Sequence, residues 1–138
     1  MIVGVGIDLI ETERVARALD RWGDRLVAKL MGEAEASRLP EGATDRARAL
    51  ALAIAAKEAA SKALGTGWSA GVRWRDVELE LGPPTLVRLH GRAAEVARYL
   101  GSSGRTWTAL EARGNLVLAE VRLLSDQGPM SGRDRNQA

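Results

Sequence analysis

Asp8, Glu58 and Lys62 are the residues whose types and spacing point to chemistry. Asp8 closes the Gly-rich segment Met1-Ile-Val-Gly-Val-Gly-Ile-Asp8, while Glu58 and Lys62 lie in the run Ala55-Ala-Lys57-Glu58-Ala-Ala-Ser-Lys62-Ala-Leu-Gly65-Thr-Gly67. Brought together, two carboxylates and an ammonium suit a divalent cation that grips a phosphate ester, because Mg2+ takes one or two carboxylates and completes its shell with phosphate oxygens and water. Glu58 and Lys62 are four apart, hence on one helix face in the favoured acid-before-base order, whereas Lys57 points about a hundred degrees away. Plainer readings stand beside this one. Gly4 and Gly6 would also let a helix pack closely on a strand, and Asp8 would also cap a turn. A Glu–Lys pair four apart is commonly solvated decoration contributing about 0.3–0.5 kcal/mol.

The elements that must position these groups follow from periodicity. Val3, Val5, Ile7 and Leu9 alternate with Gly4, Gly6 and Asp8, which predicts a half-buried strand with one face left nearly bare by glycine and puts Asp8 on that open face. Thr12-Glu13-Arg14 can start a helix in which Val15, Ala18, Leu19, Trp22, Leu26 and Leu30 recur at three and four, with Arg14, Arg17, Arg21 and Arg25 along the opposite side. A basic stripe is usually a wet helix face, but only Asp20 and Asp24 lie close to this one, which makes it a candidate surface for an acidic partner. Pro40-Glu-Gly42 marks a loop before a long Ala-rich helix over residues 45–64, ending at Gly65, which can take a left-handed cap. Residues 77–81 and 85–89 flank Gly82-Pro83-Pro84 as a hairpin, residues 91–100 have helical spacing, and residues 106–111 and 116–124 form two last strands joined near Gly114-Asn115. The arrangement is α+β in one domain over residues 1–124. The polar residues 125–138 carry no apolar period and are expected to be a disordered tail.

Composition removes several classes of function. With 138 residues the chain is long enough for one core yet short enough that a cofactor site can need a second protomer's wall. Its 20 basic and 18 acidic residues nearly cancel, which gives no general case for nucleic acid. Without cysteine and with His90 as the sole histidine, a thiol nucleophile or a zinc centre of the usual kind is excluded. His90, just before a helix start, reads as a capping or surface residue rather than a catalyst. No segment reads as a signal peptide or a membrane span, so a cytoplasmic protein is expected. Trp22, Trp68, Trp74, Trp107 and Tyr99 are the aromatics, the tryptophans expected in core or oligomer contacts, and Leu, Val and Ala must fill most of the interior.

The two motifs, in this order and at this separation, closely resemble those of the holo-(acyl-carrier-protein) synthases of the 4'-phosphopantetheinyl transferase superfamily, over residues 1 to about 124. The resemblance implies an α+β fold in which a small antiparallel sheet packs on a long helix, and trimers with sites in the clefts between protomers. It implies Mg2+-dependent transfer of 4'-phosphopantetheine from coenzyme A to a serine of an apo acyl carrier protein, a step that activates fatty acid or polyketide biosynthesis. By this resemblance Asp8 and Glu58 hold the metal on the pyrophosphate and act in catalysis with Lys62, which stabilises or protonates the departing adenosine bisphosphate. Lys57, Lys62, Gly65, Thr66 and Gly67 would contact the cofactor. Arg14, extended by Arg17, Arg21 and Arg25, would meet the acidic carrier protein and speed encounter. The attacking hydroxyl belongs to the carrier, so the chain needs no nucleophile; Glu58 or a water on the metal could accept the proton. Neither nucleic acid nor membrane is an expected partner.

Two segments depart from the family pattern. Leu52-Ala53-Ile54 stands where Gly-Arg-Phe is usual, which removes an arginine expected to face a coenzyme A phosphate. Ala109-Leu110-Glu111-Ala112 stands where Ser-x-Ser-His is usual, which removes two hydroxyls and a histidine and adds a carboxylate. Losing a charge-assisted phosphate contact costs about 1.5–3 kcal/mol, so weaker coenzyme A binding is expected unless Arg48, Arg105 or Arg113 compensates. Two alternatives therefore stand beside the transferase: a diverged relative acting on a carrier-bound or coenzyme A-linked intermediate in a specialised pathway, and a non-catalytic subunit that binds the carrier protein.

Overall fold

Two glycines set the central contact of the molecule. In the computed structural model, which describes residues 1–126, strand β1 (Ile2–Glu11) lies across helix α4 (Ala43–Leu64) with Gly4 and Gly6 against the helix backbone. A Cβ on Gly6 would overlap the carbonyl oxygen of Ala59, and one on Gly4 that of Ala63. Overpacking ordinarily costs about 1–3 kcal/mol, and here a backbone carbonyl rather than a flexible side chain would have to give way. Gly6→Ala is therefore expected to lower the unfolding free energy by about 3 kcal/mol in denaturant titration; a loss below about 1 kcal/mol would mean that strand and helix are not in backbone contact.

This corrects the expected orientation of β1. The glycine face is not open but covered by α4, and the apolar face is the exposed one, with Val5 at 48%, Ile7 at 51% and Leu9 at 58%. The cause lies in α4: alanines at positions 55, 56, 59, 60 and 63 are all buried, so the helix is thin enough to be packed from several sides and to seat a glycine strand.

Strand β5 (Leu116–Leu124) is the centre of a three-stranded antiparallel sheet, flanked by β1 and β4 (Thr106–Arg113). Asp8, Ala119 and Leu110 are in register across it. Val117, Ala119, Val121 and Leu123 fill the face toward α4. The hairpin of β2 (Val77–Glu80) and β3 (Leu86–Leu89) makes a second, separate sheet, followed by helix α5 (Gly91–Tyr99).

The expected single helix after β1 is two pieces, α1 (Thr12–Trp22) and α2 (Asp24–Leu30), followed by the short α3 (Glu33–Ala36), which the sequence reading does not include. Gly23, with φ +54° and ψ −136°, breaks the first from the second. Arg25 consequently belongs to α2 and not to the face that carries Arg14, Arg17 and Arg21. The long helix ends as expected, with Gly65 at φ +79° as its left-handed cap. The first residues of the expected tail are held: the Ser125 N–H donates to the Met1 carbonyl at 2.8 Å, and the Asp126 carboxylate accepts from the Ser103 N–H at 2.9 Å and hydroxyl at 2.7 Å. The rest of that segment lies outside the described residues. Among the described residues no helix is long and apolar enough to cross a membrane.

Candidate functional site

The glycine face of β1 ends at Asp8, beside Lys62 of α4. Lys62 Nζ donates to Asp8 Oδ1 at 2.9 Å and to the Ile7 carbonyl at 3.1 Å. Glu58, one turn earlier on the helix, shares with Asp8 and Arg14 the wall of an open cavity of about 530 Å³. Val15, Ala18, Leu26 and Ile54 line the same cavity. Glu58 is partly buried, and its carboxylate enters no hydrogen bond or ion pair among the described residues. The site thus holds one carboxylate tied to a lysine and one free, in a recess that apolar side chains also line.

This donor set fits one kind of metal. Among the described residues no three His, Cys, Asp or Glu side chains converge, so a cage built wholly of protein ligands is ruled out there. Mg2+ needs no such cage: it is held by one or two carboxylates together with substrate phosphates and water. Asp8 and Glu58, which line one cavity, meet that requirement, and Lys62 places an ammonium beside Asp8.

Lys57 does not join them. Its side chain is fully buried, and its ammonium donates to Glu35 Oε1 at 2.8 Å, to the Trp74 carbonyl at 3.2 Å and to the Val77 carbonyl. Three acceptors use all three N–H groups, so the expected contact between Lys57 and a cofactor is corrected to a structural role. Burial pushes the Lys57 pKa below its usual 10.5 against the opposing pull of Glu35. The other carboxylate oxygen of Glu35 accepts the Leu79 N–H at 2.9 Å. Glu35 has no motif around it and went unmarked in the sequence; a buried lysine needs a buried counter-charge, but nothing in the alanine-rich helix marks Lys57 as the buried one.

The remaining expected positions divide. Arg14 stands in the cavity wall; Arg17 and Arg21 are exposed on the same helix, Arg17 at 3.7 Å from Glu13 and Arg21 over the Trp22 ring. Gly65, Thr66 and Gly67 form the turn one step past Lys62, where Gly67 takes φ +54° and its N–H donates to the Ser61 carbonyl at 3.1 Å. His90 is the N-cap residue of α5, and its Nε2 lies 2.8 Å from Glu78 Oε1. Glu78 also accepts from Arg38 at 2.6 Å, and that guanidinium holds its carboxyl below the usual 4.5. Trp68 and Trp74 stack on each other at 4.0 Å, while Trp107 stands half-exposed on the outer face of β4 with Arg122 over its ring.

The departures are placed differently than expected. Ala53 lies on the Lys57 side of α4, lining a separate cavity of about 260 Å³ with Glu35, Arg38 and Leu79, and not the one beside Asp8. Within one protomer a larger side chain there would start away from the carboxylates. Glu111 is exposed beside Arg113 at 3.4 Å, and Arg105 lines a groove with Arg88 and His90. None of Arg48, Arg105 and Arg113 lines the Asp8 cavity, so the compensation expected of them does not come from within one protomer; Arg14 is the arginine found there.

The family model of the 4'-phosphopantetheinyl transferase superfamily matches residues 4–119. A holo-(acyl-carrier-protein) synthase of Acidithiobacillus ferrooxidans is 42% identical over 126 residues, covering 89% of this chain and 97% of its own. One of Nitratidesulfovibrio vulgaris is 44% identical over 128 residues, covering 91% and 100%. Among solved structures, the holo-(acyl-carrier-protein) synthase of Neisseria meningitidis superposes with a TM-score of 0.77 at 26% identity, over 91% of this chain and 100% of that one. The Bacillus anthracis enzyme, solved in complex with CoA (3',5'-ADP), gives 0.68 at 27% identity over 91% and 99%.

Proposed function

This chain belongs to the 4'-phosphopantetheinyl transferase superfamily, and from that premise we propose that it works as a holo-(acyl-carrier-protein) synthase, moving 4'-phosphopantetheine from coenzyme A to a serine of an apo acyl carrier protein. The observation that carries the reading is that Asp8 and Glu58, one from each motif, line a single cavity together with Arg14. Near full-length similarity to proteins named as synthases, with both carboxylates in place, favours transfer over the diverged and the non-catalytic alternatives. A cytoplasmic setting accords with these substrates and with a fold whose described helices do not span a membrane.

The chemistry follows from the residues. Asp8 and Glu58 would hold Mg2+, which would supply positive charge to offset that developing on the phosphoryl oxygens. Lys62, already beside Asp8, reaches the same phosphates and stabilises the leaving one as the phosphorus–oxygen bond breaks and its electron pair departs with adenosine 3',5'-bisphosphate. The carrier serine oxygen forms the new bond to phosphorus, and its proton passes to the Glu58 carboxylate or to water. The Gly65–Gly67 turn lies next to Lys62 to receive the cofactor. Arg14, Arg17 and Arg21 offer positive charge where an acidic carrier must approach, raising the encounter rate and fixing its orientation. The test is release of adenosine 3',5'-bisphosphate on mixing the chain with coenzyme A, Mg2+ and an apo carrier protein. Release that needs all three supports the reading; none, from folded protein with several carriers, would overturn it.

We further propose that the assembly is a homotrimer with sites between protomers. The outer face of the sheet supports this: Val5, Ile7, Leu9, Leu116, Leu118 and Trp107 are all more than a third exposed there, around the Glu120–Arg122 ion pair, more apolar surface than a stable monomer commonly leaves to solvent. Ile7→Asp, in the middle of that face, is expected to convert a three-chain mass in sedimentation to a single-chain mass. An unchanged mass would contradict this interface.

A further inference from the structure

We propose that Asn115, in the turn between β4 and β5, is a positioning residue for carrier-protein recognition: it caps helix α1 from across the fold and so sets where Arg14 stands relative to Asp8 and Glu58. The proposal rests on the transferase reading. Helix α1 leaves β1 with no linker, Glu11 ending the strand and Thr12 beginning the helix. The first N–H groups of a helix have no partner within it and need an outside acceptor, normally the side chain of the preceding residue. Glu11 makes no such bond.

Asn115 supplies two acceptors instead. Its backbone carbonyl accepts the Thr12 N–H at 2.8 Å, and its side-chain Oδ1 accepts the Glu13 N–H at 2.8 Å. An ordinary cap sits next to its helix, and losing it frays one turn. This one comes from 102 residues later, so it joins the helix to the sheet and fixes the angle between them. The turn holds Asn115 firmly in place, since Gly114 takes φ +57° and the next residue, Leu116, pairs with Glu11 in the sheet and lines the cavity of Asp8, Glu58 and Arg14. Arg14 follows directly on the capped Glu13. Releasing Glu13 therefore lets the arginine-bearing helix tilt, while Asp8 and Glu58 stay clamped between β1 and α4. Docking of the carrier should suffer and handling of coenzyme A should not.

Steady-state kinetics on the full chain separate this from a merely structural role. Asn115→Ala is expected to raise KM for the apo carrier protein about fivefold, within the range expected for a lost cap, with kcat and KM for coenzyme A changed less than about twofold. Asn115→Asp, which keeps the acceptor and adds negative charge at a helix N-terminus, is expected to restore the carrier KM. An unchanged carrier KM, an equal loss in coenzyme A KM or kcat, or an Asp variant as poor as the Ala variant would overturn the proposal. Calorimetric binding of the carrier to the same three proteins gives a second reading that does not depend on turnover. If wild type binds carrier but transfers nothing, the transferase reading fails while the ranking of the three still tests Asn115; if wild type does not bind carrier, both fail.

Discussion

Asp8→Ala is expected to lower kcat/KM for phosphopantetheine transfer by about 10³-fold, a loss of about 4 kcal/mol of transition-state stabilisation, with Glu58→Ala falling in the same range. Both carboxylates face one cavity, so they act as a unit and the double variant should be little worse than the poorer single one. Asp8→Asn isolates the charge. An amide oxygen at that position still accepts from Lys62, which lies 2.9 Å from Oδ1, so the local fold is kept while the negative charge is lost. Its rate should nevertheless fall nearly as far as that of the Ala variant. Direct titration with Mn2+ in the presence of coenzyme A should show weaker metal binding in each variant. Losses below about tenfold would assign the metal role elsewhere.

Lys57→Met should be the most damaging single change to stability, at about 3–5 kcal/mol in urea or guanidinium titration, because it leaves Glu35 charged and buried without its counter-ion. Four segments lose a shared anchor at once: α3 through Glu35, the turn at Trp74, β2 at Val77, and α4 itself. The remedy distinguishes charge from packing. Glu35→Gln added to Lys57→Met removes the stranded charge and still offers an oxygen to the Leu79 N–H, so at least half of the loss should return. A single variant within about 1 kcal/mol of wild type would mean that the pair is dispensable.

The candidate site residues on α4 could be read in the sequence for reasons that are local. Glu58 and Lys62 are one turn apart on any helix, and Gly65 can cap only by the left-handed conformation it indeed takes. What could not be read was which side of an element meets its neighbour. Alternation along β1 says which residues share a face, but not which face α4 will cover, and glycine's missing Cβ is compatible with an open face and with the tightest of contacts. The apolar spacing from Val15 to Leu30 runs on across Gly23, so it hides the break that detaches Arg25. Alanine on every side of α4 gives no hydrophobic stripe, and nothing then marks Lys57 as inward. Glu35 and Asn115 act through partners 22 and 102 residues away, distances over which spacing carries no signal.

The most direct test is the intact mass of an apo acyl carrier protein after incubation with this chain, coenzyme A and Mg2+, beside parallel reactions with Asp8→Ala and with a chelator. A phosphopantetheine adduct in the complete reaction that is absent from both controls is the result expected from Asp8 and Glu58 acting on a shared metal and phosphate. No adduct on any of several carriers, or an adduct that forms equally well with Asp8→Ala, would contradict it.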